Sequence, residues 1–133
     1  MLNQTGITKT TGVTRKNILI APELAFSLGC KVSGTGVEAG SDGRKIIKAG
    51  TPLAGDFTAR DTAFTVAKDT GDSAPKTSDA TCVLLHDVDV TSGNANATAL
   101  IFGFIDVSKL DSTVTAMWTD AAKKNLGKIT LVK

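Results

Sequence analysis

The feature that most constrains the fold is a pair of apolar, β-branched runs in the second half of the chain. Residues 81–90 (TCVLLHDVDV) and 97–107 (ATALIFGFIDV) are separated by the turn-forming residues TSGNAN. Two such runs around a Gly/Asn/Ser linker predict a β-hairpin with a longer loop. Both runs are apolar on both faces at their centres, which favours central strands. Gly103, between two phenylalanines, predicts a bulge or a close backbone approach.

Weaker patterns predict further short strands. Residues 45–49 predict a strand that runs into a Gly50-Thr51-Pro52 turn, and residues 63–66 predict another short strand. The closing KITLVK (128–133) alternates, so we expect a strand with Ile129 and Leu131 on one side.

Helical and loop signals occupy the remaining segments. Residues 23–28 predict one or two helical turns ended by Gly29, and residues 116–125 a short helix with lysines near its C-terminus. Residues 18–20 are expected to be extended, and residues 68–80 a long polar loop. The fold class predicted is mainly β, a small barrel or sandwich with one or two short helices and an extended N-terminal arm.

The first 17 residues (MLNQTGITKTTGVTRKN) differ in composition from the rest of the chain. They are polar and Thr-rich, so we expect an arm (1–17) ahead of one β-rich domain (18–133). A β-prone arm suits strand addition to a partner's sheet edge, and the alternative is a frayed terminus. The candidate binding residues are Thr5, Ile7, Thr8, Thr10, Thr11, Val13 and Thr14.

Composition lowers the expectation of several function classes. A length of 133 residues fits one domain, and a net charge of +2 gives no basic footprint for nucleic acid. One histidine and no tyrosine leave few acid/base groups, so we expect no enzyme and no catalytic residues. Without a signal-like segment or a run of about 20 apolar residues, we expect a soluble protein that does not contact membranes.

His86-Asp87-Val88-Asp89 is the one cluster that suggests chemistry. On a strand, the two carboxylates share a face and His86 lies on the other. With Thr91 and Asn94 they could contribute to a cation site, and the alternative is that they shape the turn. Gly34-Thr35-Gly36 lacks the third glycine of a phosphate loop, which argues against a phosphate-binding site. We predict neither a metal nor a cofactor.

The cysteines and the single tryptophan each allow two interpretations. Cys82 lies in an apolar run and is expected to be a buried free thiol, although a disulfide with Cys30 is open. Trp118 is either a core side chain or a contact between subunits, where tryptophan is favoured.

Three stretches resemble small head proteins of tailed bacteriophages, of the capsid decoration and head-fibre type. They are GRKIIKAGTPLAGD (43–56), TCVLLHDVDVTSGNANATALIFGFIDVSKL (81–110) and KITLVK (128–133). The Trp-containing segment 117–125 is similar in order and pattern to the end of the lambda-type decoration protein. The resemblance covers roughly residues 43–133 and leaves residues 1–42 unmatched.

The resemblance implies a small barrel or β-tulip domain on the outer surface of the expanded phage head, made in the host bacterial cytoplasm. It implies a structural role, with the major capsid protein as partner and homotrimers at three-fold and quasi-three-fold positions. The arm would then order on the capsid. The alternative function is a head fibre base or glycan-binding attachment module, and a third hypothesis is a small enzyme acting through His86 and Asp87.

Overall fold

The twelve-residue strand β9 (Ala95–Asp106) organises the fold. A computed structural model of the protein describes residues 17–71 and 76–133. The other strands are β1 (Phe26–Val32), β2 (Ile46–Ile47), β3 (Pro52–Ala54), β4 (Thr65–Val66), β5 (Asp69–Thr70), β6 (Thr77–Ser78), β7 (Cys82–Leu84), β8 (Val88–Asp89) and β10 (Ile129–Val132), and the helices are α1 (Ser112–Met117) and α2 (Asp120–Asn125). The prediction of a mainly β domain with short helices is confirmed.

The main sheet has the strand order β1-β9-β7-β3-β4, and neighbouring strands on this path are antiparallel. The C-terminal half of β9 also pairs with β10, in parallel. Val83 lies opposite Leu100, so the two apolar runs pair and both are central, as the sequence predicted. Strands β2 and β8 form one separate pair, and β5 and β6 form another.

This sheet is open and does not close into a barrel. The two outer strands of the sheet, β1 and β4, come together at one point, where Phe64, just before β4, makes a single parallel bridge to Val32 of β1. The Phe64 amide donates to the Lys31 carbonyl and the Ser33 amide donates to the Phe64 carbonyl, each at 2.8 Å. From Thr65 onward the chain pairs with β3 instead, so the bridge does not extend into a ladder.

Several predicted elements differ because tertiary contacts override local preference. The run 81–90 is broken into β7 and β8, because Val88 and Asp89 pair with β2 and the Asp87 carboxylate accepts the Ala49 amide at 2.7 Å. The helix predicted over 23–28 is wrong beyond one 3₁₀ turn (Pro22–Leu24), because Phe26 pairs with Phe102 and begins β1. Residues 68–80 contain β5 and β6 rather than only loop, and Pro52 belongs to β3.

An irregularity near Gly103 was predicted, and it lies two residues earlier. Phe26 pairs with Phe102 while Ser27 pairs with Leu100, so Ile101 is the extra residue of a bulge in β9. Gly103 itself is buried against Ala25 and Leu100.

The helix predicted over 116–125 is two helices with separate N-caps. The Asp111 carboxylate accepts the Thr113 amide at 3.0 Å, and the Thr119 hydroxyl accepts the Ala122 amide at 3.2 Å. The chain leaves helical geometry at Trp118, whose indole is directed into the core.

The core consists of two clusters. One contains Trp118, Leu126, Leu100, Ile105 and Ile18 beneath the helices. The other surrounds Phe64, with Leu53, Cys82 and Leu84 among its members.

Candidate protein-interaction surface

Large apolar side chains are exposed together on the outer side of the sheet around β9 and β10. Among the described residues, five of the six exposed large apolar side chains belong to this region. Three of them, Leu24, Phe26 and Phe102, are 56%, 55% and 44% exposed. We define the apolar face as Ile20, Leu24, Phe26, Phe102, Phe104 and Val132.

Strand alternation explains why these side chains share one face. In β9, Gly103 and Ile105 are buried, so Phe102 and Phe104 point to the opposite side. In the parallel neighbour β10, Val132 lies opposite Asp106, which shares the outer side with both phenylalanines. Ile129 and Ile105 are buried on the core side of these two strands, whereas Phe102 and Val132 are exposed on the outer side.

Aromatic contacts organise the centre of the face. Phe26 and Phe102 are direct cross-strand partners, a position in which aromatic side chains support each other. The rings of Phe102 and Phe104 meet edge to face, with centroids 6.4 Å apart. The Ile20 amide donates to the Phe104 carbonyl at 3.1 Å, which fixes the entering chain beside these rings.

Charged residues lie at the border of the apolar face. Glu23 belongs to the 3₁₀ turn beside Leu24, and Lys128 immediately precedes β10. Asp106 ends β9, and the hydroxyl of Ser108, which donates to its carboxylate, lowers its pKa below the ordinary value. An apolar centre with a charged rim is typical of protein–protein contact surfaces.

A second concave region lies beside α1. It is a groove of about 310 Å³ whose lining includes Val37, Ile46, Val114 and Met117. Lys48 at its edge forms an ion pair with Asp111, with Nζ 3.2 Å from Oδ2. Met117 is the one exposed large apolar side chain of the described residues outside the apolar face.

The structure separates the members of the His86–Asp89 cluster. The Asp87 carboxylate accepts the Ala49 amide, and the Asp89 carboxylate accepts both the hydroxyl and the amide of Thr91. His86 Nδ1 is buried and makes no hydrogen bond, so His86 and Asp87 are not assembled as a dyad.

Of the two roles considered for Asp89, a cation ligand or a residue that shapes the turn, its hydrogen bonds to Thr91 match the turn-shaping role. Its pKa is lowered to about 2, first by the Thr91 hydroxyl, then by the Thr91 amide and by Arg44, whose guanidinium lies 3.1 Å away. The Thr91 hydroxyl oxygen also accepts the Lys45 amide at 2.8 Å, so Asp89 and Thr91 together hold this turn against the segment that precedes β2. Within residues 17–71 and 76–133, no group of three or more His, Cys, Asp or Glu side chains is placed to hold a metal ion.

Both cysteines are buried free thiols, as predicted for Cys82. Burial raises the pKa of Cys82 to about 12 and raises that of Cys30 as well, despite the opposing effect of Arg60. At neutral pH both side chains are protonated, and they pack as small apolar groups.

Of the two roles considered for Trp118, a core side chain or a contact between subunits, the structure shows the core side chain. It is 5% exposed, and its Nε1 donates to the Gly50 carbonyl at 2.8 Å. This burial leaves it little surface for a contact between subunits. The arm residues Thr5, Ile7, Thr8, Thr10, Thr11, Val13 and Thr14 lie outside the described residues.

The apolar face was not predicted from the sequence. The available signal was Phe102-Gly103-Phe104-Ile105, in which a glycine and an isoleucine share one side and two phenylalanines the other. Alternation places Phe102 and Phe104 on one side of the strand and Gly103 and Ile105 on the other, but it does not show which side faces solvent.

Comparisons with known proteins do not assign the chain to a family: no family model matches it, and no curated protein matches it significantly. In the part of the chain that the structure describes, helices capable of crossing a membrane are not found.

Proposed function

We propose that this protein is a structural virion protein that binds the outer surface of the expanded phage head and stabilises the capsid lattice. In this role it acts without catalysis or a cofactor, and its partner is the major capsid protein. We further propose that it occupies three-fold and quasi-three-fold positions as trimers.

The observation that carries the proposal is the apolar face. Five exposed large apolar side chains lie together, three on strands β1, β9 and β10 and two on the segment that leads into β1. A patch of this kind is typical of a surface that contacts another protein. Many copies on a symmetric lattice would bind strongly even if each contact is weak.

The resemblance to head proteins supports the same function. Its three stretches lie apart in sequence, but β3, β7, β9 and β10, which they contain, are successive neighbours in one sheet. The stretches also contain β2 and β8, which form a separate pair, so the resemblance covers this pair and four strands of the main sheet, and it includes Phe102, Phe104 and Val132 of the apolar face.

The test uses expanded heads that lack this protein, prepared from the phage that encodes it. The full-length chain should bind them, saturate at a copy number set by the lattice and raise the temperature at which they rupture. Unexpanded proheads are the matched control. Heads that bind none of the protein, or bind it without a higher rupture temperature, would contradict the proposal.

A glycan-binding attachment module is the second candidate, favoured by the exposed rings of Phe26 and Phe102. It would bind host cell-surface glycans with the same face, and binding of the purified chain to those glycans, competed by free sugar, distinguishes it from the first.

A further inference from the structure

We propose that the outer edge of β10, together with a groove between β10 and α2, binds an extended acidic segment of a partner protein by strand addition. This edge site lies beside the apolar face and uses none of its phenylalanines. Its test needs no phage heads, and it can fail while the proposed function stands.

Strand β10 pairs with β9 along one edge, and its other edge is open. The Gly103 amide donates to the Lys128 carbonyl at 3.3 Å, and β10 runs parallel to β9 from there. In this register the amide and carbonyl of Thr130 face β9, so those of Leu131 face the opposite way. Within the described part of the chain, no strand pairs with that outer edge. An open edge of this kind is a template for an added strand.

A groove of about 330 Å³ lies beside this edge. It is lined by Trp118, Lys123, Ile129 and Leu131, so its apolar part is on the core side of β10. Successive side chains of a strand alternate between its two faces. A strand added to β10 would therefore direct every second side chain toward the groove, and the apolar lining favours apolar side chains at those positions.

Lysines surround both the edge and the groove. Lys123, Lys124, Lys128 and Lys133 are all exposed, and residues 123–133 contain no acidic residue. The two ion pairs found in the described part of the chain involve none of these lysines. Lys128 and Lys133 flank β10 and are about 16 Å apart along an extended chain. A partner segment with carboxylates at that spacing and apolar residues between them is complementary to the edge in charge and to the groove in polarity.

The same lysines argue against a second copy as the occupant. Two β10 strands paired antiparallel about a two-fold axis would place Lys128 of one copy beside Lys133 of the other at both ends of the pair. Like charges opposite each other destabilise strand pairing, and lysines at a sheet edge are a common protection against it. A segment with acidic ends replaces this repulsion with attraction.

The test titrates the blocked peptide EEVTVTEE into the full-length chain and follows the backbone amides by NMR. Its inner glutamates have the spacing of Lys128 and Lys133, and its valines share one face. The largest shifts should fall on Leu131 and its neighbours in β10 and on Lys123. The control peptides are KKVTVTKK, which reverses the charge, and EEVPPTEE, whose central prolines prevent strand pairing. Each control should bind at least about tenfold more weakly.

Charge reversal in the chain gives the matched variants. Lys128→Glu/Lys133→Glu should bind EEVTVTEE at least about tenfold more weakly and should bind KKVTVTKK more tightly than the wild type does. Lys31→Glu/Lys45→Glu changes the net charge by the same amount at residues outside β10 and α2. This second variant should bind both peptides as the wild type does.

The unfolding midpoint of each variant shows that it is folded, and Lys128→Gln/Lys133→Gln, which should also bind EEVTVTEE more weakly, replaces the reversed pair if that pair unfolds. Failure of EEVTVTEE to shift the amides of β10 would overturn the proposal. Equal binding of EEVPPTEE would show attraction without strand pairing and would overturn it as well. So would a thymidine oligonucleotide that shifts the same amides and binds as tightly, since the site would then accept polyanions in general. None of these outcomes bears on binding to phage heads, which is tested separately.

Discussion

Trp118 shows how one side chain joins distant parts of the chain. Its indole donates to the carbonyl of Gly50, and the two residues are 68 positions apart. Phenylalanine would fill most of the same space but leave that buried carbonyl unpaired. We therefore expect Trp118→Phe to lower the free energy of unfolding by about 1–3 kcal/mol. Urea unfolding followed by circular dichroism measures this, with Met117→Leu as the exposed neighbouring control. A change no larger than that of the control would show that the hydrogen bond contributes little.

Asp111 gives a pH-dependent contribution to stability. The Thr113 hydroxyl, then its amide, and then Lys48 lower the pKa of the Asp111 carboxyl from 3.8 to about 2. A folded-state pKa below the unfolded value means that the stabilisation is present above about pH 4 and is lost as the pH falls toward 2.

Asp111→Ala should therefore lower the urea midpoint at pH 7, and the difference from the wild type should shrink between about pH 4 and about pH 2. Asp111→Asn keeps a capping side chain without its charge, so its midpoint at pH 7 should lie between the two. A difference that stays constant with pH would show that the carboxylate charge is not involved.

At the scale of elements, stability should be highest where β9 is paired on both sides. Leu84 ends β7, which lies between β9 and β3, and Leu85 follows it. Their amides donate to the carbonyls of Thr51 and Thr98 at 2.9 and 3.0 Å. The β5–β6 pair has two residues in each strand and belongs to a separate sheet. We expect the amides of Leu84 and Leu85 to exchange with solvent at least about 100-fold more slowly than that of Thr70. Similar exchange rates in both regions, measured by NMR, would contradict this order of stability.

The elements also show what the sequence determines. Strands β9 and β10 were predictable because an apolar run beside a turn, for β9, and an alternating segment, for β10, are local features. The start of β1 was not, since Phe26 is placed by pairing with Phe102, a residue far along the chain. The division of 81–90 depends in the same way on the contact between Asp87 and Ala49. The candidate surface was missed for a related reason, because local alternation does not identify the solvent side when both sides are apolar.

For the whole molecule, the boundary between arm and domain is the feature open to a direct test. Ile18 is fully buried and hydrogen-bonded to Asp106, and Leu19 bridges Ile105, so the domain is expected to need both. A chain beginning at Asn17 should unfold within about 0.5 kcal/mol of the full-length protein. A chain beginning at Pro22 loses a buried isoleucine and the bridge, which should cost about 2–5 kcal/mol.

Trp118 is the only tryptophan, so its fluorescence reports unfolding of both truncated chains in urea. Equal losses of stability in both would place the domain boundary before residue 17. If the chain beginning at Asn17 keeps its stability but binds heads more weakly, the first 16 residues serve binding rather than folding. That outcome separates binding by the first 16 residues from folding of the domain, since the apolar face remains complete in the shortened chain.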